Sequence, residues 1–181
     1  KTAYEIKECD WSSDVCSSDL KNGSDTPRLD AEILLAHSRG CPRIQLYVQY
    51  DEELGDDERL KMRELVKRRA AHEPVAYLVG RREFFGLDFE VGRGVLIPRP
   101  DTETLVVQAL ELAKLMEAPR VLDLCTGSGC IAVSIAKNCP KARLTALEIS
   151  PAVADFARRK DRKSTRLNSS HIPLSRMPSS A

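Results

Sequence analysis

Hydrophobic residues near the start of the chain recur at the spacing of an amphipathic helix. Leu29, Ile33 and Leu34 lie on one stripe of this helix. Thr26 can cap it, a proline follows at its first helical position, and Gly40 can end it. The pattern predicts a first helix over this stretch.

Pro42 can open a second helix, and a third follows, which Asp56 can cap and Pro74 can stop. Its apolar residues recur three and four positions apart, at Met62, Leu65, Val66 and Ala70. We therefore predict a helical N-terminal domain over residues 24–75.

The period then changes from that of a helix to that of a strand. Leu87, Phe89 and Val91 alternate with acidic residues, and glycines on both sides mark turns. This pattern predicts a β-hairpin linker over residues 76–97. A helix opened by Asp101 follows, and we predict that one face of it carries Leu105, Val106, Ala109, Leu112, Ala113 and Met116.

Two apolar runs with a helical segment between them follow. The first, from Val121 to Leu124, leads into a loop of small residues, and the second runs from Ala142 to Leu147. Strand, helix and strand in this order predict the opening of a doubly wound parallel sheet. The predicted fold class is α/β, and residues 98–160 supply only the first part of such a sheet.

The loop after the first run is the strongest candidate for a binding site. Gly127 and Gly129 allow main-chain N–H groups to approach a ligand at the start of a helix, with no Cβ in the way. Glu148 ends the second run, nineteen residues after Gly129. An acid at this position of a βαβ unit commonly binds ribose hydroxyls. The pattern indicates a nucleoside-containing cofactor.

The loop alone leaves the identity of the cofactor open. The stretch from Gly127 to Ala132 also fits the G-x-G-x-x-A pattern of NAD-binding folds, and an ordinary tight turn is a further interpretation. Asp123, four residues before Gly127, gives an order that resembles the first motif of class I methyltransferases. About a hundred residues precede the first strand, whereas many nicotinamide domains begin with it. S-adenosylmethionine is therefore favoured.

Charge and cysteine content narrow the range of partners. The net charge of +1 gives no overall attraction to nucleic acid or membrane, so we expect neither. The six cysteines include no C-x-x-C pair and no cluster of zinc spacing. We expect reduced thiols, a cytoplasmic location and no metal. No apolar run approaches the roughly 18 residues of a membrane span.

Both ends of the chain resist assignment to a fold. Residues 11–20 repeat a Ser-Ser-Asp unit with no period, and residues 161–181 are rich in Ser, Arg and Pro. Both stretches resemble translated sequencing-adapter read-through. We therefore leave residues 1–23 unassigned and predict a disordered tail over 161–181, neither being native sequence. A native disordered tail is the alternative.

One string of residues carries a specific resemblance. Residues 95–103 read VLIPRPDTE and residues 123–129 read DLCTGSG, a combination that resembles the HemK family, the release factor glutamine methyltransferases. The IPRPDTE string is highly specific, whereas many methyltransferases share the glycine motif. The resemblance covers about residues 24–160. Further segments that look like family segments, in family order, are residues 30–37, 73–80 and 83–87.

The resemblance implies a truncated class I, Rossmann-like methyltransferase sheet with S-adenosylmethionine as cofactor. It implies methyl transfer to the side-chain amide nitrogen of glutamine in the Gly-Gly-Gln motif of peptide chain release factors, by a monomer whose helical domain recognises the substrate. Arg99 and Pro100 would line the substrate cleft; the alternative for Arg99 is a simple salt bridge. Asp123 would order the loop or contact the methionine end of the cofactor. The hydroxyls of Thr126 and Ser128 would be free for polar contacts with the cofactor. The implied cofactor-binding residues are Asp123, Cys125, Thr126, Gly127, Ser128, Gly129 and Glu148.

The chain departs from the family pattern at two points. Cys125 stands where the family more often has the first glycine of the loop, and we expect it to be tolerated with a negative φ. The Asn-Pro-Pro-Tyr motif that holds the substrate amide in the family is absent, and no Asn-Pro pair occurs. We therefore assign no catalytic residue.

The missing motif leads us to expect an inactive N-terminal fragment of an enzyme. We also expect it to be poorly stable alone, because the missing part of the sheet would leave apolar surface open. Two alternatives remain, a non-catalytic nucleotide- or protein-binding module and a fragment of an NAD-binding dehydrogenase.

Overall fold

The computed structural model describes residues 26–49 and 52–163, together with the backbone of residues 174–175. These residues fall into two compact units, with the division between Val79 and Gly80. The predicted linker, 76–97, is therefore shared between the units. A short helix at its start belongs to the first unit, and the hairpin belongs to the second. The unassigned residues 1–23 lie outside the described part.

The first unit is helical, as predicted. Its core is formed by apolar side chains from all four helices, including Leu34, Leu46, Met62 and Leu78. The helices are α1 (Pro27–Arg39), α2 (Gln45–Val48), α3 (Asp56–Ala70) and α4 (Val75–Val79).

The ends of the helices in this unit follow local signals. Thr26 occupies the N-cap position of α1, with a proline at N1, and Gly40 ends the helix in the left-handed conformation at φ +66°. The predicted cap of α3 is wrong by one residue, because Gly55 is the N-cap and Asp56 is the first helical residue. Glu58 Oε2 accepts the N–H of Gly55 at 2.9 Å, which replaces the expected cap.

The second unit begins with the predicted hairpin, β1 (Arg81–Phe84) paired antiparallel with β2 (Leu87–Glu90). Its two-residue turn has positive φ at both positions, +53° at Phe85 and +67° at Gly86. Phe84 and Phe89 meet edge to face, with ring centroids 6.2 Å apart. Both rings are buried in the core that the two following helices share. The hairpin is thus part of the second unit's core.

The remaining elements build a parallel sheet, which confirms the predicted α/β class. Strand β3 pairs in parallel with β4, and β4 pairs with β5, so that the order is β3–β4–β5. The bounds are α5 (Thr102–Lys114), β3 (Arg120–Leu124), α6 (Cys130–Asn138), β4 (Arg143–Leu147), α7 (Pro151–Lys163) and β5 (Leu174–Ser175).

Two of these elements enter the predicted disordered tail, 161–181. Helix α7 runs three residues past position 160, and β5 lies wholly within the tail, where Leu174 pairs with Ala146 of β4. The edge of β4 offers unpaired main-chain groups that a passing segment can satisfy. Whether this segment is native sequence stays a prediction.

The buried face of α5 differs from the predicted one. Val106 and Ala113 are buried, with Ala109 packed against the same core, whereas Leu105 and Leu112 are more than half exposed. Met116 lies beyond the end of the helix and is also exposed. The helix carries apolar residues on several of its own sides, so the sequence periodicity alone does not show which side is buried. The face that is buried is the one that packs on α6 and the hairpin.

Candidate functional site

The loop between β3 and α6 is held in an unusual conformation. Three of its residues have positive φ: Cys125 at +61°, Gly127 at +60° and Gly129 at +79°. Thr126 N–H donates to the carbonyl of Leu147 at 3.0 Å, which ties the loop to the end of β4. The expected negative φ at Cys125 is therefore wrong. The chain must reverse direction directly after β3 to enter α6, and this path places Cys125 in the left-handed region.

The two glycines of the loop have different surroundings. A Cβ at Gly127 would meet nothing closer than the Cys125 carbonyl oxygen, at 4.0 Å. A Cβ at Gly129 would lie 3.1 Å from the Cβ of Ala157 in α7. Gly127 therefore faces open space that a ligand can occupy, whereas Gly129 allows α7 to approach the loop.

Glu148 follows β4 and turns its carboxylate towards this loop. Its Oε2 accepts the N–H of Gly127 at 2.9 Å, and its Oε1 accepts the N–H of Ser150 at 3.1 Å. The residue is only 7 % exposed. Each carboxylate oxygen has a second lone pair, which can accept a ligand hydroxyl.

Ser150 was not among the predicted residues of the site. The signal was present, because a Ser-Pro pair is typical of a helix start. That start would have placed the first main-chain N–H groups of α7 beside Glu148.

Asp123, near the end of β3, orders the loop from inside. Its Oδ2 accepts the hydroxyl of Thr126 at 2.6 Å. Burial raises the pKa of the Asp123 carboxyl above its usual 3.8; bonds from Thr126 and the main chain of Ala132 oppose this rise, and the nearby Glu148 carboxylate adds to it. The hydroxyl of Thr126 is thus already engaged, contrary to the expectation that it is free for a ligand.

Two further side chains of the loop region are buried. Ser128 is 3 % exposed, and its hydroxyl makes no hydrogen bond of good geometry with the described residues. Burial also raises the pKa of the Cys130 thiol, and the neighbouring Ser128 hydroxyl partly opposes this rise. Cys130 is therefore held as the neutral thiol.

Arg99 and Pro100, the predicted residues of the substrate cleft, lie in the turn before α5. Their carbonyl oxygens accept the N–H groups of Thr102 and Glu103. Both side chains are exposed. Within the described residues, the Arg99 side chain forms no hydrogen bond or ion pair. Their role in a cleft stays a prediction.

The described residues contain neither a candidate metal site nor a candidate membrane span. In residues 26–49 and 52–163, no group of three or more His, Cys, Asp and Glu side chains could hold a metal ion. In the same stretches, no helix combines the length and the apolar character that crossing a membrane requires. The cysteines described there are free: Cys41, Cys125, Cys130 and Cys139.

A parallel β–loop–α–β unit with an acid directed at its glycine loop places this unit in the doubly wound α/β class, in which such loops commonly bind nucleotides. Residues 15–80 match the PrmC N-terminal domain family. Over 153 residues the chain is 49% identical to the release factor glutamine methyltransferase of Rhodopirellula baltica, covering 82% of this chain and 51% of that protein. It is 51% identical over 151 residues to the one from Burkholderia pseudomallei, covering 83% and 53%. The chain is thus similar to the release factor glutamine methyltransferases, the HemK family that its motifs resemble.

The chain spans about half the length of the curated relatives it matches. Among solved structures it is similar to coclaurine N-methyltransferase bound to N-methylheliamine and SAH, with a TM-score of 0.40 and 15% identity, over 99% of this chain and 51% of that one. It is also similar to precorrin-6y C5,15-methyltransferase from Geobacter metallireducens, with a TM-score of 0.38 and 16% identity, over 50% and 45%.

Proposed function

We propose that this chain is the cofactor-binding half of an enzyme that transfers a methyl group from S-adenosylmethionine to the side-chain amide nitrogen of glutamine. The glutamine lies in the Gly-Gly-Gln motif of peptide chain release factors, and the reaction takes place in the cytoplasm. The observation that supports this most directly is the contact of Glu148 with Gly127. This contact places the carboxylate of Glu148, which can accept ligand hydroxyls, next to the open space beside Gly127. The similarity to release factor glutamine methyltransferases supports this substrate.

The residues of the loop fit S-adenosylmethionine. In this proposal Glu148 accepts the ribose hydroxyls, and the main chain from Cys125 to Gly129 runs along the cofactor, with space beside Gly127. The cofactor itself supplies a methyl group on a positively charged sulfonium. The protein's part is to hold that methyl in line with the acceptor nitrogen, since orientation supplies much of the rate of such a displacement.

The charge of the site favours S-adenosylmethionine over a dinucleotide. Asp123 and Glu148 are both buried beside the loop, and in the described part of the chain no Lys or Arg pairs with either carboxylate. The acid at Glu148 suits the ribose of either ligand. The second acid, Asp123, when ionised, adds a negative charge beside the loop that attracts the cationic sulfonium and repels the pyrophosphate of NAD, and burial weakens the screening of this charge. The dehydrogenase alternative is therefore disfavoured.

The transfer step itself needs residues that this sequence does not contain. An amide nitrogen is a weak nucleophile because its lone pair is delocalised. In the family it is expected to be held by the Asn-Pro-Pro-Tyr motif, and no Asn-Pro pair occurs here. We propose that the chain binds the cofactor but does not methylate by itself.

Calorimetry of the 181-residue chain with S-adenosylmethionine and with NAD tests the cofactor. We expect binding of S-adenosylmethionine only, and loss of it in Gly127→Ala, whose Cβ enters the ligand space. A folded chain that binds NAD, or neither compound, contradicts the proposal.

Activity is tested in a chimaera in which residues 26–160 replace the matching segment of the Burkholderia pseudomallei relative. An inactive chimaera that is folded and binds the cofactor counts against the assigned reaction.

The raised pKa of Asp123 adds a pH signature. As the pH falls through this raised pKa, Asp123 gains a proton and loses its attraction for a cation, so the affinity for S-adenosylmethionine should fall, by about tenfold for one lost charged contact. The folded state without ligand binds this proton more tightly than the unfolded state. Its free energy of unfolding should therefore decrease as the pH rises from 3.8 through the raised value. Asp123→Asn should abolish both dependences, and their persistence in that variant would contradict the assignment.

A further inference from the structure

We propose that Glu90 and Arg159 are positioning residues that hold α7 against the loop of residues 125–129, here called the cofactor loop. This inference rests on the proposed function. Glu90 ends the hairpin strand β2, and Arg159 lies in α7, 69 residues further along the chain. Arg159 Nε donates to Glu90 Oε2 at 2.7 Å. The pair therefore joins the hairpin to the helix that follows Glu148.

A second contact reinforces this junction. The guanidinium of Arg159 lies over the ring of Phe156, 4.4 Å from its centroid. The same ring packs on Gly92, where a Cβ would lie 3.1 Å from Cζ of Phe156. The hairpin side of α7 is thus defined by an ion pair, a stacked cation and a close contact with a glycine.

The same turn of α7 also contacts the cofactor loop. Ala157 lies between Phe156 and Arg159 in sequence, and its Cβ is the atom that a side chain at Gly129 would meet. Ser150, the residue directly before α7, donates its N–H to Oε1 of Glu148. Helix α7 and the residue before it therefore contact the hairpin, Gly129 and Glu148, the proposed acceptor of the ribose hydroxyls.

This arrangement implies that the hairpin affects the cofactor site through α7. A helix moves largely as a rigid element, so that loosening its contact with β2 also loosens Ala157 against Gly129 and Ser150 against Glu148. The effect on affinity should be modest, because Glu90 and Arg159 are partly exposed and such ion pairs are weak. It should concern the adenosine part of the ligand, since α7 acts on the residue that binds ribose.

Ligand binding to the full 181-residue chain tests the inference. For Glu90→Gln we expect about threefold weaker binding of both S-adenosylmethionine and adenosine. Arg159→Lys keeps the charge but loses the planar stacking, and should weaken binding less. The matched control is Arg158→Gln, which breaks the ion pair with Asp155 on the same helix, at 2.9 Å, without touching the hairpin. It should leave both affinities unchanged.

Each outcome decides between the two proposals. If the wild-type chain is folded and does not bind S-adenosylmethionine, the proposed function fails. If it binds but Glu90→Gln is unchanged, only the positioning inference fails. Equal weakening by Arg158→Gln also overturns the inference, because a general loss of helix stability would then explain the effect. If Glu90→Gln does not fold, an unchanged affinity in Arg159→Lys overturns it.

Discussion

Cys125 is the residue whose conformation conflicts most with its side chain. At φ +61° its Cβ crowds the main chain, which costs roughly 1–2 kcal/mol for a residue other than glycine. The side chain is exposed, so packing offers little compensation. The family more often has glycine at this position, and the observed φ gives the physical reason.

We predict that Cys125→Gly raises the free energy of unfolding by up to about 1 kcal/mol. The relief of the left-handed strain exceeds the extra freedom that glycine gains in the unfolded chain. Urea denaturation measures the change. Cys125→Ala is the matched control, since it removes the thiol but keeps a Cβ at positive φ. Equal stabilities of the glycine and alanine variants would show that strain is not the cause.

Glu103 contributes at the scale of elements, because it joins α5 to the hairpin. Its Oε1 accepts the N–H of Phe85 at 2.9 Å, at the turn between β1 and β2. Phe85 has φ +53°, and a primed hairpin turn normally uses Asn, Asp or Gly at this position. The hydrogen bond therefore stabilises a turn that its own residues disfavour.

We predict that Glu103→Ala lowers the free energy of unfolding by about 1–2 kcal/mol, because it leaves the partly buried N–H of Phe85 without an acceptor. Glu103→Gln retains an acceptor oxygen and should lose less. Hydrogen exchange at the amide of Phe85 should become faster in the alanine variant. Glu111→Ala, an exposed change on the same helix, is the control. Similar exchange at Phe85 in both alanine variants would contradict the prediction.

The elements that could be predicted from sequence are those with a local cause. The N-cap position of Thr26 before its proline, the left-handed end at Gly40 and the period-two alternation around Phe89 are all local, and the structure confirms them, although Thr26 makes no side-chain capping bond. The βαβ order and the loop between its strands were predicted for the same reason. The proposed substrate rests on the resemblance to the family, because no local pattern contains it.

The features that could not be predicted depend on tertiary contacts. The φ of Cys125 follows from the path of the chain between β3 and α6. Leu105 and Val106 both continue an apolar stripe, so the sequence pattern does not show which of them is buried. The buried side of α5 is selected by its packing on α6. The engagement of Thr126 by Asp123 depends on a loop geometry that spacing does not define.

At the scale of the whole molecule, the described residues leave one side of β3 largely exposed. Val121 and Asp123 lie on the side of β3 that packs on α6, while Leu122 and Leu124 lie on the other side and are 59% and 53% exposed. Parallel sheets are normally covered on both faces. Exposed leucines that lie side by side on one face of a strand favour association with other chains.

We predict that the purified chain self-associates through this face at micromolar concentration. Replacing both Leu122 and Leu124 with Gln should shift the mass measured by light scattering towards that of the 20.2 kDa monomer, because it removes the apolar surface that drives association. The effect on folding should be small, since both side chains are already largely in water. The matched control replaces Val48 and Leu60, which are exposed in the helical unit, with Gln. If the control reduces association equally, general hydrophobicity is responsible, and a monomeric wild-type chain would mean that the open face is not adhesive.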